Sequence, residues 1–435
     1  HLELTFPPSD DRGDEDQRLK SASPLDAVRA VIERIKTRST HPQGLFLGGA
    51  FAYDFIATFE NLPDVSDSEN ICPDFLFYIA ETLLIHDHQT QKSELIGSIF
   101  GGLYTIENEI RLAARLKEIQ QLCHQFVAPA MQATPLKGDV QVNISDTEFC
   151  ATVEALKENI IKGDIFQVVP SRSFSLSCPN PIGAYATLKK TNPSPYMFYL
   201  KDRDFVLFGA SPESALKYTK ESNQVEIYPI AGTRGRGFND NGSINKDLDS
   251  RLELELRLDK KETAEHLMLV DLARNDVARI SEPGSRHVAD LLQVDRYSHV
   301  MHLVSRVIGQ LRHDLDALHA YQACMNMGTL VGAPKISAAN LIRKVEKKRR
   351  GSYGGAVGYV NGNGDMDTCI VIRSAFVRHN VAHVQAGAGV VFDSVAQSEA
   401  DETRHKAAAV LNAIAIAHGT TLKAVTSSLN QAQGE

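Results

Sequence analysis

The 435-residue chain reads as an α+β protein with large mixed or antiparallel sheets, on three observations. Strand-like runs are joined mostly by short turns, as in GGAVGYVNGNGDMDTCIVIRSAFV (354–377), where NGNGD reads as the turn of a hairpin. Helical patterns fall in separate blocks, which argues against a doubly wound parallel sheet. Apolar residues make up 43% and charged residues 23% of a chain long enough for more than one core.

The elements follow in order. GLFLGGAFAYDFI (44–56) and FLFYIAETLLIHDH (75–88) have the aromatic and β-branched content of strands. NEIRLAARLKEIQQLCHQF (108–126) repeats its apolar residues at helical spacing. APAMQATPLKGD (128–139), small residues with prolines and a glycine, marks a boundary between an N-terminal region at 1–128 and a second domain at 140–418. SDTEFCATVEALKENIIKGDIFQVV reads as a capped helix, a Lys-Gly stop and a buried strand. PYMFYLK, FVLFGAS and QVEIYPIAG are strand candidates, and 259–281, 314–326 and 336–350 are helical. AHVQAGAGVVFD (382–393) is a further strand, and 396–417 closes the chain as a long helix.

A net charge of -8 argues against a nucleic-acid partner. The one basic run, Lys347 to Arg350, reads as the last turn of a helix capped by Gly351. Six cysteines at 72, 123, 150, 178, 324 and 369 form no CxxC pair, which suits a reducing cytoplasm with free thiols and neither a disulfide scaffold nor a zinc site. No apolar run approaches the length of a membrane span. The acidic N-terminus HLELTFPPSDDRGDEDQ is no signal peptide, lacks an initiating Met, and is expected to be truncated at its start.

Four features carry chemistry. PIAGTRGRG (229–237) crowds two arginines, a threonine and three glycines into nine positions, as a loop built to hold an anion would, with a conspicuously small Ala231. Glu262 and Glu265 in DKKETAEHLMLVDLARND, and Glu399 and Glu402 in SEADETRHKAAAVL, are spaced to share a helix face, with Lys406 four residues beyond Glu402. Each pair has a structural alternative, since Asp259-x-x-Glu262 and Ser398-x-x-Asp401 resemble capping boxes, and Glu402 with Lys406 is a routine surface pair. Taken together, four carboxylates suit a hard divalent cation such as Mg²⁺. The glycine-rich stretches GTLVGAP, GSYGGAVGY and QAGAGVV allow backbone N–H groups to reach a ligand carboxylate. Arg373, on an otherwise apolar strand, needs either a bound anion or an internal salt bridge.

The stretches PIAGT, ETAEHLMLVDLARND, GTLVGAPK, GSYGGAVGY, DTCIVIRSA, VQAGAGVV and SEADETRHK, in this order and covering the chain from about residue 44 onward, resemble the anthranilate synthase component I family among the chorismate-utilising enzymes. The resemblance implies a four-layer α/β/β/α core, with 140–418 as the chorismate-binding catalytic domain. It implies conversion of chorismate and ammonia to anthranilate and pyruvate with Mg²⁺, the first step of tryptophan biosynthesis. Ammonia would come from a separate glutamine amidotransferase subunit, making a hetero-oligomer. Glu262, Glu265, Glu399 and Glu402 match the metal-binding carboxylates, and Lys406 would lie beside the ring carboxylate. Tyr353, Arg373 and backbone around Gly387, Ala388 and Gly389 would hold the enolpyruvyl carboxylate, while Thr329, Ala231, Gly232 and Thr233 line the ring. Glu213 of ASPES matches the general acid, and His302 of YSHVMHLVSRV the group that removes a ring proton; without the resemblance His302 reads as a core histidine on an apolar helix. Pro195, Tyr196 and Met197 match part of a tryptophan feedback site. Sister aminodeoxychorismate synthases resemble this chain with a lysine at Ala231, and water-adding isochorismate synthases with a lysine at Gln167; this chain has neither. Gly235 departs from the family's usual proline.

Overall fold

The NGNGD turn closes the hairpin that the sequence predicts, pairing Ala356–Asn361 antiparallel with Met366–Ile370. In the computed structural model, which describes residues 13–35, 41–101, 104–126, 134–136, 138–297 and 300–426, this hairpin is the middle of a nine-stranded sheet. On one side of it lie Ser214–Thr219, Gln224–Ile227, Val300–Gln310 and Ile230–Gly235, with His287–Arg296 also paired to Val300–Gln310. On the other side lie Phe46–Phe51 and Phe75–Ile79, so strands from either side of the 128–139 stretch share one sheet. That stretch lies partly outside the described residues. A smaller, six-stranded sheet runs in the order Gln141–Val142, Ser171–Ser177, Val381–Gly387, Ser374–Arg378, Val206–Ser211 and Tyr196–Lys201. Every pairing within these two sheets is antiparallel.

The two sheets face each other. Ala50, Val357 and Cys369 of the larger sheet share a buried cluster with Leu207 and Phe376 of the smaller. Strand alternation supplies the outer faces as well: Phe174 and Leu176 turn outward against Leu188 and Val410 of the helices Pro181–Thr191 and Ala396–Ala417. The larger sheet's outer face packs under Leu25–Arg34, Lys260–Ala278 and Ala317–Cys324. Each large apolar side chain fully buried in these layers contributes about 1.5–3 kcal/mol. The result is the helix–sheet–sheet–helix order that the family resemblance implies.

Several elements differ from expectation. The 75–88 run splits at Ala80, and Thr82–Asp87 pairs with Lys92–Gly97 in a separate two-stranded sheet. The 44–56 run leaves its sheet after Phe51 and turns into a 3₁₀ helix at Tyr53–Thr58. The 336–350 helix ends at Glu346, where Lys347 takes a left-handed conformation, so the basic run lies beyond the helix and Gly351 is not its cap. Arg350 in that run is buried against Glu346 in a 2.6 Å ion pair. The 259–281 and 314–326 helices shorten to Lys260–Ala278 and Ala317–Cys324. His302 lies on the strand Val300–Gln310 and not on a helix, in a run buried from Met301 to Ser305 where strands on both sides pair with it, at Thr233 and at Asp295. No described helix is long and apolar enough to cross a membrane.

Candidate active site

A cavity of about 360 Å³ opens beside the edge strand Ile230–Gly235 of the larger sheet. That strand changes register against Val300–Gln310 between Ala231 and Thr233. Gly232 sits at the irregularity with φ +81, a left-handed conformation that L side chains rarely adopt, and the bulge turns Ala231, Gly232 and Thr233 onto the cavity wall. PIAGTRGRG is thus a strand rather than an anion loop. Its arginines are engaged inside the protein: Arg234 pairs with Asp259 and Glu262, and Arg236 with Asp249.

His302 faces the same wall. Its Nδ1 lies 2.9 Å from Thr233 Oγ1 and 3.3 Å from the Gly232 carbonyl oxygen. Burial, opposed by the Gly232 contact, pushes its pKa down to about 4, so the imidazole is neutral near pH 7. Glu213, in the turn between Val206–Ser211 and Ser214–Thr219, is also buried. Thr329, in the short helix Gly328–Val331, donates a 2.9 Å hydrogen bond to Glu213 Oε1. Burial outweighs that bond and pushes the carboxyl up to about 8, so Glu213 holds its proton at neutral pH.

Arg373 occupies the joint where the chain leaves Met366–Ile370 in the larger sheet and enters Ser374–Arg378 in the smaller one. The strand expected through this point is broken, and Arg373 takes φ +48, sparsely populated for a residue with a side chain. Its carbonyl accepts from the Ala210 N–H at 3.1 Å, but among the described residues its guanidinium makes neither a hydrogen bond nor an ion pair, so the internal salt bridge considered for it is not formed. An unpaired guanidinium on a cavity wall is an anion receptor. Tyr353 stands nearby, and a Cβ added to Gly387 would meet its Oη at 3.1 Å and the Pro170 carbonyl oxygen at 2.7 Å, which requires glycine there. Gly389 also lines the cavity. Ala388 does not; it is fully buried, and its N–H is committed to the Pro170 carbonyl at 3.1 Å.

The four glutamates reach the cavity from two helices. Asp259 caps the first helix by accepting from the Lys261 and Glu262 N–H groups, leaving the Glu262 and Glu265 side chains on the wall. The second starts after Val395 without any side-chain cap, so the Ser398–Asp401 capping box is absent and Glu399 and Glu402 have no capping role. Lys406 Nζ pairs with Glu402 Oε1 at 2.6 Å and donates to the Gly387 carbonyl oxygen at 3.0 Å. Against the cost of burial, Lys406 keeps Glu402 below the usual carboxylate range. Burial and then Glu402 push Glu399 up, and burial and then Glu262 push Glu265 up. This mutual repulsion is what a divalent cation relieves, and the all-oxygen donor set is one that Mg²⁺ accepts. Among the described residues no three His, Cys, Asp or Glu side chains stand close enough to enclose an ion alone, so any cation here would keep water or ligand oxygens.

All the site residues expected from the sequence except Ala388 and the 195–197 stretch are brought together here. Two polar lining residues were not among them. Lys261 precedes Glu262 in a first turn and carries no signal separating it from a solvated lysine. Gln167 is buried, donates a 2.9 Å hydrogen bond to Glu265 Oε1, and leaves its own Oε1 without a partner. Pro195, Tyr196 and Met197 line a different cavity of about 590 Å³ that has no lining residue in common with the first. There Tyr196 Oη donates to Asp367 Oδ1 at 3.1 Å, joining the smaller sheet to the larger.

Known proteins match this architecture. The family described as chorismate binding enzyme matches residues 7–412. Anthranilate synthase component 1 of Vibrio cholerae is 61% identical over 96% of this chain and 79% of its own length. The protein of that name from Escherichia coli strain K12 is 59% identical over 95% of this chain and 79% of its own. The crystal structure of anthranilate synthase component I from Streptococcus pneumoniae superposes with a TM-score of 0.78 at 36% identity, covering 89% of this chain and 85% of that one. The menaquinone-specific isochorismate synthase MenF of Escherichia coli, at 20% identity, covers 90% of this chain and 82% of its own with a TM-score of 0.73, a likeness of fold alone.

Proposed function

The chain belongs to the chorismate-binding enzyme family, and from that premise we propose that it is the large subunit of an anthranilate synthase, converting chorismate and ammonia to anthranilate and pyruvate at the first step of tryptophan biosynthesis. One observation carries the reading: a single cavity holds a carboxyl that keeps its proton, Glu213, and an imidazole that lacks one, His302. Relatives named anthranilate synthase component 1 support the same choice, as do Ala231 and Gln167 at positions where the sister enzymes resemble this chain but carry a lysine.

The chemistry follows from these protonation states. Arg373 and Tyr353 bind the enolpyruvyl carboxylate, and Lys406 lies beside the ring carboxylate. Ammonia forms a bond to the ring carbon next to the carboxylate-bearing one. The ring π electrons shift, and the ring C–O bond to the hydroxyl breaks. Hydroxide is a poor leaving group, so Glu213 gives it a proton and it departs as water. The added nitrogen gives up its extra proton, which restores Glu213; His302 then takes the proton from the carbon that bears nitrogen, the ring C–O bond to the enolpyruvyl group breaks as the ring becomes aromatic, and the departing enolpyruvate takes up that proton to become pyruvate. Glu262, Glu265, Glu399 and Glu402 would hold Mg²⁺, which supplies positive charge to accept the ring carboxylate among four carboxylates.

The reading includes a glutamine amidotransferase partner as the ammonia source, hence a hetero-oligomer, and a cytoplasmic location. It also includes tryptophan as a feedback inhibitor bound at the cavity of Pro195, Tyr196 and Met197, a cavity with the aromatic and polar lining an indole amino acid needs. Mass analysis of products from chorismate, Mg²⁺ and ammonium should give anthranilate; aminodeoxychorismate or isochorismate as the end product would overturn the assignment. Calorimetry tests the inhibitor: tryptophan and chorismate should weaken each other's binding by the same factor, and independent binding would remove the linkage.

A further inference from the structure

None of the residues Lys347 to Arg350 lines the catalytic cavity, yet Arg350, 1% exposed, is bonded to the residues that form its walls. Its Nη1 donates to the Leu330 carbonyl oxygen at 2.8 Å and its Nη2 to the Val169 carbonyl oxygen at 2.6 Å. Its Nε and Nη2 also hold both oxygens of Glu346, at 2.8 and 2.6 Å. The guanidinium carbon stands 4.6 Å from the centre of the Tyr53 ring and 5.6 Å from that of Tyr353, within cation–π range. Leu330, Val169 and Tyr353 all line the cavity. Glu346 extends the reach to a fourth segment: its Oε1 accepts from the Ser171 N–H and Oγ at 2.8 Å each, and Ser171 pairs with Gly387 in the smaller sheet.

Each of these contacts falls on, or within two residues of, a group with a part in the proposed chemistry. Leu330 follows Thr329, whose hydroxyl donates to Glu213 Oε1. Val169 lies two residues after Gln167, which holds Glu265. Tyr353 and Gly387 belong to the end of the cavity that takes the enolpyruvyl carboxylate. The Val169 N–H donates to the Val331 carbonyl oxygen at 3.0 Å, so the first two segments already form a pair, and Arg350 joins that pair to the turn that carries Tyr353. A role in stability alone explains this arrangement poorly. A buried ion pair such as Glu346 with Arg350 can often be exchanged for apolar side chains at little cost. Apolar side chains cannot reproduce a planar fork that fixes two carbonyls and a carboxylate at set angles, and neither can the point charge of a lysine.

We infer that Arg350 is a positioning residue for the reaction proposed above, on which the inference rests: its fork holds the Thr329 and Tyr353 walls at a fixed separation, so that the acid and the carboxylate receptor meet one bound chorismate together. Arg350 touches no substrate atom and acts through the groups that do. A misplacement of either wall by about 1 Å is enough to cost about 10²-fold in rate.

The test uses the full chain with ammonium and Mg²⁺. Arg350→Lys keeps the charge and loses the fork, and should lower kcat/KM for chorismate at least about thirtyfold. Arg343→Lys is the control, since Arg343 is also buried but pairs with Asp54 and donates to the Pro63 carbonyl, neither of which lines the cavity. It should stay within about threefold, because sites without shared partners act independently. Glu346→Leu combined with Arg350→Met removes the pair without stranding a charge, so it should melt close to wild type and still lose activity as the lysine variant does. Coupling separates positioning from general loosening: in a Thr329→Val background, Arg350→Lys should cost at least about fivefold less than it costs alone. Equal losses in both lysine variants, an undiminished cost in the Thr329→Val background, or wild-type kcat/KM in a folded Arg350 variant would each overturn the inference. Failure of both Arg350 variants to fold would do the same, leaving the residue a structural one. Wild-type chain that makes no anthranilate from chorismate would instead overturn the proposed function, and the inference with it.

Discussion

Glu213 and Glu402 line one cavity, yet the fold treats them oppositely. Glu213 hangs from a turn between two strands with only a threonine hydroxyl for a partner, and burial holds its proton in place up to about pH 8. Glu402 rises from a helix one turn before Lys406 with its side chain 43% exposed, and that ammonium, 2.6 Å away, holds it below the usual carboxylate range against the cost of burial. The lesson is that residue type does not assign the role of a carboxylate here. Burial without an ion-pair partner suits one glutamate to the acid role proposed for it, and partial exposure beside a lysine suits the other to the proposed ligand role.

The largest effect should come from removing the acid. Glu213→Gln mimics the protonated carboxyl in shape and polarity but has no proton to give, so the fold should survive while turnover falls about 10²- to 10⁴-fold. A near-wild-type rate in that variant would break the comparison. The same residue fixes the basic limb of the pH profile: activity should hold to about pH 8 and then fall about tenfold per unit as Glu213 ionises. Because the folded pKa is raised, the associated stability is fully present below the usual carboxylate value of 4.5 and is lost as pH climbs through about 8.

Glu402→Gln should come next. An amide is a poor ligand for a hard cation, and Lys406 loses its partner, so Mg²⁺-dependent turnover should fall at least about tenfold with the fold intact. Unchanged Mg²⁺ dependence in steady-state rates would remove the ligand role and leave Glu402 as a simple ion-pair partner. The smallest change sharpens the contrast between the two carboxylate helices. Asp259→Ala removes a real cap and should cost about 1 kcal/mol in a denaturant melt, whereas Ser398→Ala, at a position without capping contacts, should cost nothing measurable.

How much of this was legible depended on whether the signal was local. The glutamate pairs could be read because helical spacing is a property of five residues, and the Ala356–Ile370 hairpin because its turn residues dictate it. The pairing of His287–Arg296 with Val300–Gln310 went unread, since its alternation is interrupted by register shifts around Asp290 and a left-handed Leu292. Arg373 was placed on a strand because apolar residues flank it on both sides; nothing in that run announces that the flanks belong to different sheets. The resemblance named Glu213 and His302, but their opposite protonation arises from burial, which only the assembled layers create.

The position of Arg373 also has a mechanical side. Its backbone is the seam between the two sheets, and its side chain has no other anchor, so the guanidinium goes wherever the seam goes. Some distance away, Tyr196 and Asp367 clasp the same two sheets together, and Asp367 lies in the very strand that runs into the seam. A wedge driven between the sheets at that clasp would pull on the strand, and through it on the arginine. Such a seam would let the layered sandwich act as a lever, the spacing of the sheets at one end setting the reach of a cation at the other.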